Sequence, residues 1–188
     1  MIKKTINNLY DFIEFVKIMF LGKMIGRHYI VNSLKYCRKS NINRILSCYG
    51  ANVGKNIHYK GSIVVDNYSC EEKIFKNLHI GHNCYIGYEV YFDLANKIII
   101  ENDVVISART MVVTHADVGE RKMNRYYKRV SLPVKIHEGS WIGVQSVILT
   151  GVTINKFAVI GANSTVIKDV KSYTMVSGSP AVFKKEIK

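Results

Sequence analysis

Ile136, Ile142, Ile148, Ile154, Ile160 and Val166 recur at strict intervals of six residues, and few folds accommodate that spacing. Four positions after each stands Ser140, Ser146, Val152, Ala158, Ser164 or Val170, every one small or β-branched. A helix returns a side chain to one face every three or four residues, and an ordinary strand every two. One large aliphatic and one small residue per six fits a parallel β-helix instead. There each hexapeptide is a short strand plus a turn, and three hexapeptides close a triangular coil. The aliphatic points inward and stacks on its equivalent one coil later, Ile136 on Ile154 and Ile142 on Ile160. Coils spaced at the strand separation of roughly 4.8 Å then fill the interior with ladders of Ile and Val.

The same phase occurs earlier. IGHNCY and IGYEVY begin at Ile80 and Ile86, and after a two-residue slip Leu94, Ile100, Ile106 and Val112 resume it. The stretch ANVGKNIHYKGSIVVDN reads as a first, ragged coil, with Val53, Ile57 and Ile63 to Val65. One coil cannot bury its own inner face, so several must stack. The predicted organisation is a helical segment over 1–45, a β-helix over 46–176 and a tail over 177–188.

Near the N-terminus, Leu9, Phe12, Ile13, Val16, Met19 and Phe20 fall at helical spacing and give one apolar face, with Thr5 as an N-cap. A second short helix is expected before about Cys48. Asp11, Glu14 and Lys17 interrupt the apolar run, which is too short and too charged to span a bilayer. Two readings of the first helix stay open. It packs on its own protein or a sister subunit, or it makes a weak contact with a membrane surface, flanked by Lys3, Lys4, Lys17 and Lys23.

The chain carries 27 Lys and Arg against 14 acidic residues, a formal net charge of +13, which favours anionic partners. No stacking-platform motif accompanies the basic excess, so a nucleic-acid binder is disfavoured. Cys37, Cys48, Cys70 and Cys84 form no CxxC pair and fit no zinc module; reduced, mostly buried thiols in a cytoplasmic protein are expected.

The rhythm stops at VVTHADVGERKMNRYYKRVSLP, which leaves the repeat beside His115. The loop 116–133 is basic, with Arg121, Lys122, Arg125, Lys128 and Arg129 around Tyr126 and Tyr127. Extruded loops are where a rigid scaffold keeps its function.

The run IHEGSWIGVQSVILTGVTINKFAVIGANSTVIKDV, followed by GSPA at Gly178 to Ala181, resembles the hexapeptide-repeat acyltransferases. The likeness is to the branch holding maltose, galactoside and capsule or lipopolysaccharide O-acetyltransferases, and it covers roughly Gly50 to the C-terminus. It implies a left-handed β-helix, a homotrimer with sites between neighbouring subunits, and acetyl-CoA as acyl donor. It also implies a sugar or glycan acceptor. The reduced thiols and the first helix point to a cytoplasmic location, at most at the inner face of the membrane.

In the resembling enzymes a histidine at the root of the extruded loop is the general base, and His115 matches it. An imidazole, ordinarily titrating near pH ~6.5, suits the removal of a hydroxyl proton as the new bond forms. Asp93 matches an aspartate of the acceptor site, where a carboxylate can accept sugar hydroxyls or orient an imidazole. Tyr85 stands where several relatives have an acceptor-contacting asparagine.

The resemblance places the acyl-CoA channel along Gly143, Val144, Gly161, Ala162, Ile167 and Lys168. The glycines would let the pantetheine arm approach the backbone. Val182 and Phe183 follow the PA where the family often has Lys or Arg, so a phosphate contact shifts to Lys184 or Lys185. Trp141 is expected to cap a coil end.

No metal is expected. The γ-class carbonic anhydrases share this fold, but Glu120 stands where their second ligand histidine falls, and His79 and His82 lack a third partner. Two alternatives to the O-acetyltransferase remain, an N-acetyltransferase of an amino sugar and a non-catalytic β-helix scaffold.

Overall fold

The computed structural model describes residues 2–188, with side chains from Thr5 onward; the Lys3 and Lys4 side chains lie outside it. Three parallel sheets form the faces of a β-helix. The first sheet stacks Asn52–Val53, Leu78–Ile80, Ile98–Ile100, Val134–Ile136 and Thr153–Ile154. The second stacks His58–Tyr59, Tyr85–Ile86, Val105–Ile106, Trp141–Ile142, Val159–Ile160 and Thr174–Ser177. The third stacks Ile63–Asp66, Val90–Asp93, Met111–Val112, Val147–Ile148 and Thr165–Val166. The chain visits the three in turn, giving five full coils and the start of a sixth.

The register is the expected one where the repeat is cleanest. Ile136 pairs with Ile154 and Ile142 with Ile160, all buried in the interior. The small positions Ser140, Ser146, Val152, Ala158, Ser164 and Val170 are buried too. There is room for only a short side chain at the corner. The Ser140 and Ser146 hydroxyls donate to the carbonyls of Asn155 and Gly161, so neither is left unpaired. Corners between the first and second sheets place Asn83, Asp103, Gly139, Phe157 and Tyr173 in left-handed backbone. Gly139 lets the next coil bring the Phe157 ring against the backbone, where a Cβ would collide.

Two expectations about the earlier coils are corrected. Phe92, not Leu94, continues the phase after Ile80 and Ile86, since Phe92 pairs with Val112. The two-residue slip therefore falls after Phe92, in the turn before Ile98. The first coil is regular rather than ragged, because Val53, Tyr59 and Val65 pair with Ile80, Ile86 and Phe92. A buried tyrosine takes an aliphatic position there, with its hydroxyl donating to Asn43 Oδ1 at 2.6 Å.

The departures from six all stack on one edge. Residues 67–77, 94–97 and 113–133 each lengthen the connection from the third sheet back to the first. The next such turn, after Ile148, is short again.

Helices α1 (Ile2–Ile25), α2 (Arg27–Ser33) and α3 (Lys39–Cys48) precede the coils, so two helices follow the first where one was expected, and the last runs to Cys48. Because α1 begins at Ile2, Thr5 lies in its first turns and is not its N-cap. Val182–Glu186 turns back as an antiparallel strand on Thr174–Ser177, the beginning of the expected tail. Trp141 caps no coil end: it projects from the middle of the second sheet, and its indole N–H donates to Ser107 Oγ at 3.2 Å. Of the four free cysteines only Cys84 is buried and Cys37 partly so, while Cys48 and Cys70 are exposed. Burial pushes the Cys37 thiol up to about 12, helped by the charge on Glu14.

Candidate functional site

The lengthened edge gathers the polar groups that the repeat has no place for. His115 and Ala116 pair antiparallel with Ser131 and Val130, so the excursion leaves the coil as a two-stranded stem. The stem is held from both neighbouring coils. From below, Asn96 donates its backbone N–H to Thr114 Oγ1 at 2.9 Å and its side-chain amide to the Ser131 carbonyl at 3.0 Å. From above, the Thr150 hydroxyl donates to the Thr114 carbonyl at 2.9 Å. Asn96 lies in the lengthened 94–97 turn, so the slip in the repeat supplies the brace under the loop.

His115 Nδ1 lies 2.6 Å from Asp93 Oδ2, the side chains being 23% and 1% exposed. That oxygen also accepts the backbone N–H groups of Thr114 at 2.8 Å and His115 at 3.1 Å. Oδ1 accepts the Asn67 amide at 3.0 Å and the Ala95 N–H at 3.2 Å. Burial by itself would raise the Asp93 pKa. The hydrogen bond from His115 and those from the Thr114 and Ala95 N–H groups outweigh it, and the carboxyl is held below its ordinary value. A carboxylate only accepts, so Nδ1 carries the proton and Nε2 is left with the lone pair. A ring fixed in this way can take a proton at Nε2 from an acidic partner in front of it.

The site extends beyond the residues that sequence singled out. Thr114 is fully buried and donates its hydroxyl to the Asp93 carbonyl at 2.8 Å. Asn67 reaches Asp93 from one coil below, where Asp66 and Asp93 are in register. Thr114 was legible as the neighbour of His115. Asn67 was not, because its place follows only from the corrected register.

In the loop, Asp117 accepts the Gly119 N–H at 2.6 Å and pairs with Arg129 at 2.7 Å across the stem. The Gly119 N–H and then the Arg129 guanidinium lower its carboxyl pKa. Arg121, Lys122, Arg125, Lys128, Tyr126 and Tyr127 are exposed.

The other expected site residues lie apart from His115 within one chain. Tyr85 faces outward from the second sheet and stacks on His58, with ring centroids 5.3 Å apart. Gly143, Val144, Gly161 and Ala162 follow second-sheet strands, at the corner toward the third sheet. What demands glycine there is coil stacking. A Cβ on Gly143 would lie 2.6 Å from the Ala162 nitrogen, and one on Gly161 would lie 2.6 Å from the Ser177 Cβ. Ile167 and Lys168 are exposed on the edge that carries His115. Lys168 borders a cavity of about 390 Å³ at the end of the coils, with Val166, Val170, Ala181 and Phe183. Lys185 sits on the terminal antiparallel strand opposite Met175.

Residues 133–168 match the bacterial transferase hexapeptide family (six repeats). The chain is 30% identical over 111 residues to the galactoside O-acetyltransferase of Escherichia coli K12, which covers 59% of this chain and 55% of that protein. A maltose O-acetyltransferase from Clostridium difficile 630 superposes with a TM-score of 0.73 at 26% identity, over 93% of this chain and 88% of the other. A hexapeptide-repeat acetyltransferase from Vibrio cholerae O1 biovar eltor, solved with acetyl coenzyme A, gives 0.68 at 25% identity over 85% and 84%. The chain spans between 51% and 61% of the length of the first curated relatives it matches. The repeat, the three-sheet coil and these likenesses agree, and residues 133–168 carry the match to the hexapeptide-repeat transferases.

Proposed function

We propose that this protein is an acetyl-CoA-dependent O-acetyltransferase acting on a sugar or a cell-surface polysaccharide precursor. The single observation that carries the reading is His115 held through Nδ1 by the buried Asp93 at the root of the extruded loop. The acceptor hydroxyl gives its proton to Nε2 as its oxygen attacks the thioester carbonyl. The carbon–sulfur bond then breaks, and the proton passes from Nε2 to the departing CoA thiolate. A positioned N–H stabilises the oxyanion between the two steps. Asp93 acts through the ring: its carboxyl is enclosed and both oxygens already accept hydrogen bonds, so it orients the base rather than touching the acceptor.

The named activities of the galactoside and maltose enzymes support a sugar hydroxyl as acceptor, and the acetyl coenzyme A complex supports the donor. We assign the coil the left hand of the family and the protein a homotrimer, located in the cytoplasm. A trimer answers the separation of the residues within one chain: Tyr85 and the corner of Gly143, Val144, Gly161 and Ala162 would meet a neighbour's His115 edge across a subunit boundary. Lys168 and Lys185 would then face the phosphates of the CoA.

The test is thioester cleavage with acetyl-CoA against a panel of neutral, acidic and amino sugars, with product analysis. The reading expects an acetyl ester and loss of acceptor-dependent turnover in His115→Ala while the fold survives. An amide product would transfer the assignment to N-acetylation. Full activity in the variant would remove His115 from the role of base.

A further inference from the structure

Helix α1 is apolar on two sides: it packs Ile18 and Phe15 inward and leaves a second stripe outside. Ile6, Leu9, Ile13, Val16, Phe20 and Met24 follow at steps of three and four residues, so they share one stripe, and every one is exposed. The side toward the body of the protein buries Ile18, packs Phe15 against the core and carries the acids. Asp11 pairs with the Arg38 guanidinium at 3.1 Å, and Glu14 accepts the Arg38 N–H at 2.9 Å and the Asn41 amide at 2.8 Å. A surface helix ordinarily hides its apolar stripe and shows its charges. A continuous apolar stripe along a 24-residue helix, about 36 Å at 1.5 Å per residue, marks an interaction surface.

Charge selects the occupant. Both acids of α1 face inward, and Lys17 and Lys23 lie on opposite borders of the stripe. Residues 1–48 hold nine Lys and Arg against those two acids. A second copy docked through the same stripe would set Lys17 and Lys23 against their own counterparts with no acid between them. An anionic lipid surface brings the opposite charge and an apolar layer beneath it. Among the described residues no helix is long and apolar enough to cross a membrane, which leaves the geometry of a helix lying flat.

We propose that the exposed stripe of α1 docks the protein on an anionic phospholipid surface, with Leu9, Ile13, Val16 and Phe20 entering the acyl layer and Lys17 and Lys23 at the headgroups. This is independent of the catalytic assignment. The full chain is sedimented with vesicles of phosphatidylcholine alone or phosphatidylcholine with phosphatidylglycerol, and its mass in solution is measured by light scattering. Binding is expected to the anionic vesicles only. It should fall about tenfold or more in Lys17→Glu/Lys23→Glu, from the weight of each basic charge at such a surface. Ile13→Ser/Phe20→Ser should weaken it similarly, with the solution mass and acetyl-CoA turnover of both variants equal to wild type. Failure to bind, equal binding to both vesicles, or a smaller solution mass in the apolar variant overturns the proposal, the last by giving the stripe to a second copy.

Discussion

Two histidines in this molecule sit against carboxylates, and they are not equivalent. His115 Nδ1 lies 2.6 Å from Asp93, and His137 Nδ1 lies 2.9 Å from Glu101. The carboxylates separate them: Asp93 is 1% exposed and Glu101 39%. Four N–H groups besides the imidazole fix the Asp93 carboxylate, from Asn67, Ala95, Thr114 and His115 itself. Glu101 has one such backbone donor, Glu138 N–H at 3.0 Å, and a longer side chain that water can reach. An enclosed, fully engaged carboxylate cannot follow a moving ring, so it dictates the ring's tautomer and aim. A half-exposed one is screened and follows the ring. The surroundings differ as well. His137 belongs to a coil corner that repeats, and His115 to the edge where three connections lengthen. A histidine–carboxylate pair therefore becomes a candidate site through the burial of its carboxylate and the irregularity of its surroundings.

The largest expected difference is in catalysis. His115→Ala should cost about 10²–10⁴-fold in acetyl transfer, the usual share of a general base, whereas His137→Ala should leave turnover unchanged. Equal losses in both would erase the distinction between the pairs. In stability, Asp93→Asn should cost about 1–3 kcal/mol in denaturant unfolding, since it disturbs an acceptor for buried N–H groups. Glu101→Gln should cost no more than about 1 kcal/mol, as for an exposed ion pair. The smallest effect is in the acid range. The Asp93 carboxyl pKa is depressed in the fold, so its stabilisation is fully present above the unfolded value of about 3.9 and is lost as pH falls through the folded value. The stability gap between wild type and Asp93→Asn should thus narrow below about pH 4. A constant gap down to strongly acid pH would mean that the ionised form is not what the fold stabilises.

The repeat was legible because one side chain per six residues must point inward, and Ile and Val at 136–166 mark it without interruption. Where an aromatic took the inward place the reading failed, as at Tyr59 and Phe92. Leu94 fitted the phase by counting back from Ile100, although the chain had already completed its coil at Phe92. His115 and Asp93 stood out by motif, but their contact depends on that turn, whose extra length lets Asn96 brace Thr114. Helix α1 shows the converse limit. Its apolar face was plain in the sequence, and periodicity alone cannot say whether such a face turns inward or outward. The answer came from Asp11 and Glu14, which meet Arg38 and Asn41 on the inner side.

A buried carboxylate sets the base. Steady-state kinetics of Asp93→Asn, with acetyl-CoA and the best acceptor from the sugar panel, tests it most directly. The kcat should fall about 10²-fold or more, from the lost tautomer control, with the KM for acceptor little changed. An unchanged kcat with a raised KM for the sugar would contradict it, by making Asp93 an acceptor contact and leaving His115 to act unaided.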